Sequence, residues 1–456
     1  MNGAVGWLFA VMMIVFSLQA QDSAVAPAAF SPKVTCTGLA SYEFGQIYNG
    51  VYAEMPFDHR WESRVYADLN LNADVSERLK VIVGVEDEMS FSQRQDDQFR
   101  LSLLKISTLF LNQAEGIVTI LDEKSATPLA LHGGYMLYKY NPQATNLGEY
   151  LFRSMTNPQV LFTQFDFSKA RILGLRLSSK LWQDRIVSDL FITSATDFYP
   201  MYDFSIAYVG SIKPIEAIEI GFGVDFDRLL PVSDSVTTPK ANNWYVDSLN
   251  QADTTWYSFS GIKIMARLCF DPKAFFPNRI LGREDLKIFG EMAILGVKNY
   301  PGYDKNYPGY NDQLWQRIPL MFGANMDLID DVPNILLNIF GKLFSFNPPT
   351  LRLLDVLSFQ GEYYRSPFPN NYHNVMFGKT PTPFIKPGMD WSYYQRDDLK
   401  WSIYASKKIL GGLSIIAQLA NDHTRVDVAR EEDAEYEDVM RINGQWCWMM
   451  KMKFEF

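Results

Sequence analysis

The chain ends in the stretch QWCWMMKMKFEF, residues 445–456, in which every second side chain from Trp446 to Phe456 is large and apolar. The intervening positions include Lys451, Lys453 and Glu455. Consecutive side chains point to opposite faces of a β-strand, whereas a helix repeats after about 3.6 residues. The stretch therefore predicts a strand with one apolar and one charged face.

The same alternation recurs along the whole chain. For example, residues 218–226 alternate apolar side chains with Glu219 and Asp225, and residues 318–326 follow the same pattern. We predict sixteen strands from this pattern, at residues 35–47, 60–73, 79–92, 99–112, 129–140, 171–180, 185–194, 201–213, 216–227, 256–270, 285–297, 316–328, 352–364, 398–409, 412–421 and 444–456. In 99–112 the apolar residues fall on both faces, which keeps counts of fourteen and eighteen open.

Strand length and charge distinguish a membrane barrel from a soluble sandwich, which also alternates. Many runs reach about ten residues, the length that a membrane strand needs, whereas globular strands average about five or six. Their polar faces carry full charges, and a lysine or arginine turned to the bilayer midplane costs about 2–4 kcal/mol. We therefore predict an all-β fold, a transmembrane antiparallel β-barrel whose charged faces line water.

The connections mostly fit this topology. With both termini on the inner side, the inner connections 73–78, 211–215 and 408–411 are short, and the outer connections 141–170, 229–255, 298–315, 366–397 and 422–443 are long. Three inner connections, 113–128, 271–284 and 329–350, are longer than expected. The last of them contains an apolar segment, 332–343, that suits a short helix.

The first residues predict export. Val5–Leu18 is almost wholly apolar and leads to Ala20, a small residue suited to signal peptidase. We predict a signal peptide over 1–20 and a single barrel domain over 21–456. No later run reaches the roughly twenty apolar residues of a membrane-spanning helix.

Composition excludes several other classes of function. The net charge of −10 and the lack of lysine and arginine clusters exclude a nucleic-acid partner. The 3 cysteines and 4 histidines lack metal-ligand spacing, and no nucleotide-binding or hydrolase motif occurs. We expect no cofactor, no metal and no enzymatic activity, although a Ser–His pair at a barrel rim would leave no local motif.

The apolar start, the strand repeat and the ending Trp448–Phe456 together resemble the porin-like outer-membrane β-barrel proteins of Gram-negative bacteria. The resemblance covers nearly the whole chain and implies an outer-membrane location in contact with lipid. In such proteins the barrel-assembly machinery reads the terminal aromatic strand. That role would fall here on Trp448, Met450, Met452, Phe454 and Phe456.

The inward charges are the best functional lead, because sixteen strands enclose a lumen wide enough for water. The predicted pore-lining residues are Arg64, Asp68, Arg176, Glu219, Asp225, Lys263, Arg267, Lys287, Glu291, Arg317, Asp327, Glu362, Lys400, Lys451 and Lys453. They predict a transport protein, a channel for passive diffusion of small hydrophilic solutes. The alternative is a non-conducting barrel in which these charges pair, with a structural or surface-binding role.

Two outer connections carry further hypotheses. Residues 141–170 contain the apolar segment Tyr150-Leu151-Phe152, which suits either a constriction inside the barrel or a loop over its rim. The motif NYPGY occurs at 299–303 and again at 306–310. Its tyrosines suit the membrane interface or, alternatively, a surface polysaccharide.

Overall fold

The computed structural model describes residues 30–52, 55–57, 60–95, 101–121, 127–156, 159, 161, 169–196, 202–230, 232, 260–275, 286–297, 313–326, 354–365, 398–423, 425–429, 434–438 and 444–456. The predicted signal peptide, Asp327, the segment 332–343 and both NYPGY motifs lie outside these residues.

The described chain is almost entirely β-structure. Its strands are β1 (Lys33–Tyr48), β2 (Gly50–Tyr52), β3 (Met55–Phe57), β4 (Arg60–Asp74), β5 (Leu79–Gln95), β6 (Leu101–Leu121), β7 (Leu129–Tyr138), β8 (Ala170–Leu181), β9 (Ile186–Ser194), β10 (Phe204–Ile215), β11 (Ile218–Leu230), β12 (Gly261–Phe270), β13 (Leu286–Leu295), β14 (Leu320–Met326), β15 (Val356–Tyr363), β16 (Leu399–Leu410), β17 (Leu413–Asn421), β18 (Arg425–Ala429), β19 (Ala434–Asp438) and β20 (Trp446–Glu455). Two short 3-10 helices, Pro272–Ala274 and Leu314–Arg317, accompany them.

Sixteen of these strands form one closed antiparallel barrel within the described residues. Each pairs with its neighbours in chain order, and the remaining strands form two separate hairpins, β2–β3 and β18–β19, in outer connections. The first strand closes the cylinder, because β1 pairs with β4 on one side and with β20 on the other. The predicted fold class and count of sixteen strands are confirmed.

The outer face of the barrel is apolar and the inner face polar. Phe222 and Leu268 are 49% and 51% exposed on the outside, whereas the alternating inward residues Asp225 and Arg267 are 3% and 7% exposed. A protein in water would not leave so continuous an apolar band uncovered, so this face suits lipid. The fold is thus a transmembrane antiparallel β-barrel with a polar lumen. No helix among the described residues is long and apolar enough to cross a membrane.

The fourth barrel strand differs from the prediction. It runs to Leu121 rather than ending at 112, so the predicted long inner connection 113–128 is wrong. A register shift places Gln113 opposite Gly84 but Leu111 opposite Val85, which inserts Asn112 as an extra residue. Because such a bulge moves every later side chain to the other face, the alternation is broken in the sequence although the strand continues.

The twelfth barrel strand also begins later than predicted. Residues 316–328 were expected to be extended, but Leu314–Arg317 is a 3-10 helix and β14 begins at Leu320. Pro319 separates the two, because proline has no N–H to donate to a neighbouring strand. Arg317 therefore lies at the rim before the strand, where its guanidinium donates to the Gly296 carbonyl at 2.8 Å.

Candidate functional site

The connection between β7 and β8, residues 139–169, is here called the inner loop. Its described part folds into the barrel, because the side chains of Leu147, Tyr150 and Leu151 are at most 1% exposed and belong to a core shared with inward wall residues. Met265 and Met321 contribute to that core from β12 and β14. Of the two placements that the sequence allowed, the structure shows the one inside the lumen.

A glycine pair lies close to the point where β7 and β8 stop pairing with β6 and β9 on their way to the inner loop. Gly134 of β7 and Gly174 of β8 lie opposite each other with φ values of 125° and 155°. A side chain at Gly134 would overlap the Ala114 carbonyl, and one at Gly174 the Ile192 carbonyl. Only glycine fits this close approach in this backbone conformation. Above the pair, the described part of β6 pairs with β5 alone, since its ladder to β7 ends at Ala114.

Glu291 of β13 holds the turn of the inner loop. Its carboxylate accepts hydrogen bonds from the Tyr140 hydroxyl at 2.6 Å and the Asn141 side-chain amide at 2.9 Å. It also accepts from the backbone N–H groups of Glu149 at 3.1 Å and Tyr150 at 2.8 Å. The turn has φ values of 90° at Gly148 and 62° at Glu149. These left-handed residues aim consecutive N–H groups at a single carboxylate.

Glu149 itself points back into the inner loop. Its carboxyl accepts from the backbone N–H of Tyr140 at 3.3 Å and from that of Asn141. The side chain is fully buried. Burial, reinforced by the charge of Glu291, raises the pKa of the Glu149 carboxyl to about 8. A large share of Glu149 is therefore protonated at neutral pH.

A second set of contacts holds the tip of the inner loop on β15. Gln360 accepts from the backbone N–H groups of Asn146 at 3.1 Å and Leu147 at 2.9 Å. Glu362 accepts from the Tyr150 hydroxyl at 2.8 Å on one oxygen and lies 2.6 Å from His423 Nε2 on the other. These are buried hydrogen bonds to wall residues far from the strands that carry the loop.

The C-terminal half of the described loop rests on β11 and β12. Lys263 donates to the Ser154 carbonyl at 3.0 Å and pairs with Asp225 at 3.0 Å. Thr156 packs against Gly261 so closely that a side chain there would lie 2.5 Å from the Thr156 side chain. The inner loop is thus fixed along the wall from β11 to β15.

The wall formed by β20, β1, β4 and β5 carries a different arrangement. Lys451 lies 3.2 Å from Glu43, and Arg64 bridges Glu43 at 3.1 Å and Glu88 at 3.0 Å. These groups are joined to one another across strands.

Two further ion-paired groups continue this wall toward β9. Arg171 binds Glu86, whose other oxygen accepts from the Tyr66 hydroxyl at 2.7 Å. His132 lies 2.6 Å from Glu115 and 2.9 Å from Arg176. We call the wall from β20 through β1 to β8, which these charged groups line, the open wall.

Exposure separates the open wall from the wall beneath the inner loop. The side chains of Arg64, Arg171 and Arg176 are 20%, 22% and 16% exposed. Those of Lys263 and Glu362 are only 3% and 1% exposed. The carboxylates Glu43 and Glu86 of the open wall are only 3% and 0% exposed, so water inside the barrel meets this wall mainly at its arginines.

The predicted pore-lining residues divide between these two walls. Those on inward-facing strand positions are Arg64, Asp68, Arg176, Glu219, Asp225, Lys263, Arg267, Lys287, Glu291, Glu362, Lys400, Lys451 and Lys453. Of these, Lys263, Glu291 and Glu362 bind the inner loop. Arg317 lies in the 3-10 helix at the rim and Asp327 outside the described residues.

The predicted assembly residues lie on the outer face of β20. Met452, Phe454 and Phe456 are 47%, 45% and 62% exposed. Met450 also lies on this face, and Trp448 packs edge-on against Trp61 with ring centroids 5.6 Å apart. The terminal Phe456 exchanges backbone hydrogen bonds of 2.9 and 3.0 Å with Gly38, which helps to close the barrel.

Sequence reasoning missed several residues of the lumen. Glu43, Glu86 and Glu115 are inward carboxylates that pair with predicted or neighbouring cations. Glu43 could have been found from the sequence, because it is a charged residue flanked by Tyr42 and Phe44 in a strand whose side chains alternate between the two faces. Glu115 was hidden by the bulge at Asn112, and Tyr150 by its place in a loop.

Comparisons with known proteins add little to this picture. No family model matches the chain, and no curated protein matches it. Solved structures of substituted variants of the porin of Rhodopseudomonas blastica are similar at 6–7% identity, with TM-scores of 0.38–0.40, covering 93% of this chain and 100% of theirs. An engineered protein described by its asymmetric conductivity matches with a TM-score of 0.39 at 6% identity. The fold assignment rests on the strand pairing of this chain.

Proposed function

We propose that this protein is a porin-like channel of the bacterial outer membrane that lets small hydrophilic solutes diffuse passively along the open wall. The observation that carries this proposal is the division of the lumen. The inner loop covers the wall from β11 to β15 and leaves hydrated arginines on the other side. A folded loop held by buried hydrogen bonds narrows a water-filled barrel and sets the size of solute that passes.

The outer face of β20 also has the properties that insertion into the outer membrane would require. The exposed aromatic residues of β20 lie at the outer face, where lipid and the barrel-assembly machinery would meet them. Location in the outer membrane and recognition by that machinery are parts of the proposal. The packed core around the inner loop favours the alternative of a closed, structural barrel, so conductance is the decisive property.

Thiol accessibility in an active channel tests the proposal. The three native cysteines, Cys36, Cys269 and Cys447, are free and can be replaced by alanine. In that background Arg64→Cys places a thiol on the open wall, and Ala293→Cys places one beneath the inner loop, at a site 1% exposed. Both proteins are inserted into planar bilayers and treated with a charged, water-soluble methanethiosulfonate reagent.

We expect current steps from both proteins and a lower conductance after modification of Arg64→Cys only. Ala293→Cys is the matched control, because its thiol has no access to water while the loop is docked. The proposal fails if the inserted barrels carry no current. It also fails if modification at position 64 leaves the conductance unchanged.

A further inference from the structure

The turn of the inner loop brings together two buried carboxyl groups that form no salt bridge with a described residue. Glu149 is 0% and Glu291 is 2% exposed. Tyr140 and Asn141 bind both of them: each donates its backbone N–H to Glu149 and a side-chain hydrogen to Glu291. Among the described residues no lysine or arginine lies within ion-pair distance of either carboxyl group.

The described hydrogen bonds of the surrounding charged groups go to other partners. Lys139 donates to the Ala144 carbonyl, and Arg153 donates to the Asn146 carbonyl at 3.2 Å. On β15, Glu362 is bound to Tyr150 and His423. Lys139 and Arg153 still act on this site through their charge, and the charge of Lys139 lowers the pKa of the Glu149 carboxyl. Burial and the charge of Glu291 outweigh it, so the pKa of Glu149 is raised on balance.

Two carboxylates in such a place cannot both be ionised at low cost. An ionised carboxylate that leaves water without a counter-ion pays a penalty of several kcal/mol, and a second like charge nearby adds to it. Four of the donors at this site point to Glu291, whereas two backbone N–H groups point to Glu149. The proton then resides on Glu149.

We propose that the docked inner loop depends on one proton carried by Glu149 beside the Glu291 carboxylate, and that loss of this proton releases the loop and widens the lumen. The inference deepens the proposed function, because it names a regulation of the same site. Docking is strongest in acid and weakens as the medium becomes alkaline.

The direction and steepness of the pH dependence follow from the thermodynamic linkage between proton binding and loop docking. The raised pKa of Glu149, about 8 against an ordinary 4.5, means that the docked state binds more protons than the released state between these values. Docking is therefore unaffected below the ordinary pKa, weakens through this window and loses no further stability above it. Since one proton is involved, the released-to-docked ratio rises by at most about tenfold per pH unit.

A spin label on the inner loop measures release without requiring current. Pro142 is exposed, so Pro142→Cys in the cysteine-free background carries a nitroxide whose mobility reports the loop. The full-length labelled protein is studied in lipid vesicles between about pH 4 and pH 9, and its conductance is recorded in parallel in planar bilayers. We expect a mobile fraction and a conductance that both rise with pH inside the window.

Glu149→Gln is the decisive variant, because an amide has the size of the protonated acid and cannot ionise. Its oxygen can keep the bond from the Asn141 N–H, and its nitrogen replaces the oxygen with the longer contact, 3.3 Å from the Tyr140 N–H. We expect its loop to stay docked throughout the pH range. Glu291→Gln serves as the second variant if the first does not fold. Its pH window should become narrower from the alkaline side, because burial still raises the pKa of Glu149 but the like charge of Glu291 is gone. Glu77→Gln, at an exposed inner turn, is the matched control and should retain the wild-type slope.

A wild-type mobile fraction that does not change with pH would overturn the inference, as would an unchanged slope in Glu149→Gln. The label separates this inference from the proposed function. A loop that is released with rising pH in a barrel without current supports the proton-dependent docking and rejects the channel. A conducting barrel whose label does not respond to pH supports the channel and rejects the proton-dependent docking.

Discussion

Removal of the Tyr150 hydroxyl is the cleanest test of how the inner loop is held. Tyr150 is 1% exposed, and its hydroxyl donates to Glu362 at 2.8 Å. Tyr150→Phe deletes this bond with almost no change of shape. Glu362 keeps its contact with His423 on the other oxygen, so no orphaned charge is created. A hydrogen bond to a charged acceptor contributes about 1.5–3 kcal/mol, which corresponds to a roughly ten- to 150-fold larger released fraction.

The nitroxide at position 142 reads this change at a fixed, acidic pH, where Glu149 is protonated in both proteins. Tyr208→Phe is the control, because that tyrosine lies on the outer face, 37% exposed, with a weak 3.3 Å contact to Ser188. We expect a larger mobile fraction only for Tyr150→Phe. The reasoning is refuted if Tyr150→Phe leaves the spectrum unchanged or if the control has an equal effect.

Three further substitutions probe the turn, the open wall and the outer face. Gly148→Ala should weaken loop docking by about 1–3 kcal/mol, because φ is 90° there and the new methyl would lie 2.5 Å from the Met321 terminal carbon; the same label detects it, and Gly116→Ala, whose nearest neighbour is 3.9 Å away, should have no effect. Arg171→Ala should lower the free energy of unfolding by about 3 kcal/mol in urea titrations, because it leaves Glu86 buried without its cation, whereas loss of the 52% exposed Lys213 should cost under about 1 kcal/mol. Leu69→Arg on the outer face of β4 should cost about 2 kcal/mol or more in the same titration from vesicles, and the inward Asn72→Arg should be tolerated; equal losses would contradict the assigned faces.

The strands could be predicted because a barrel imposes the same requirement on every one of them. In β11 and β20 each outward residue must suit lipid and each inward residue water, so period two is visible without any knowledge of the partner strands. The prediction was wrong where local geometry breaks the period. Asn112 shifts the faces of β6, and Pro319 delays β14.

The site was less predictable, because its contacts depend on register and on a loop that crosses the lumen. Glu43 meets both Arg64 and Lys451 only because β1 lies between β4 and β20, a consequence of closure. Glu291 and Glu149 are far apart in sequence, and nothing local relates them. The apolar segment after Gly148 indicated a buried loop as one of two placements, but not which wall would bind it.

The central claim is that lipid contacts the outer face of the strands while water fills the lumen along the open wall. The most direct measurement is the accessibility of single nitroxides along β4, residues 64–70, to oxygen, which concentrates in lipid, and to a water-soluble nickel chelate. The account predicts alternation, with oxygen contact highest at Val65, Ala67 and Leu69 and nickel contact highest at Arg64, Asp68 and Asn70. Accessibilities that do not alternate, or that leave the inward positions shielded from the chelate, would contradict it.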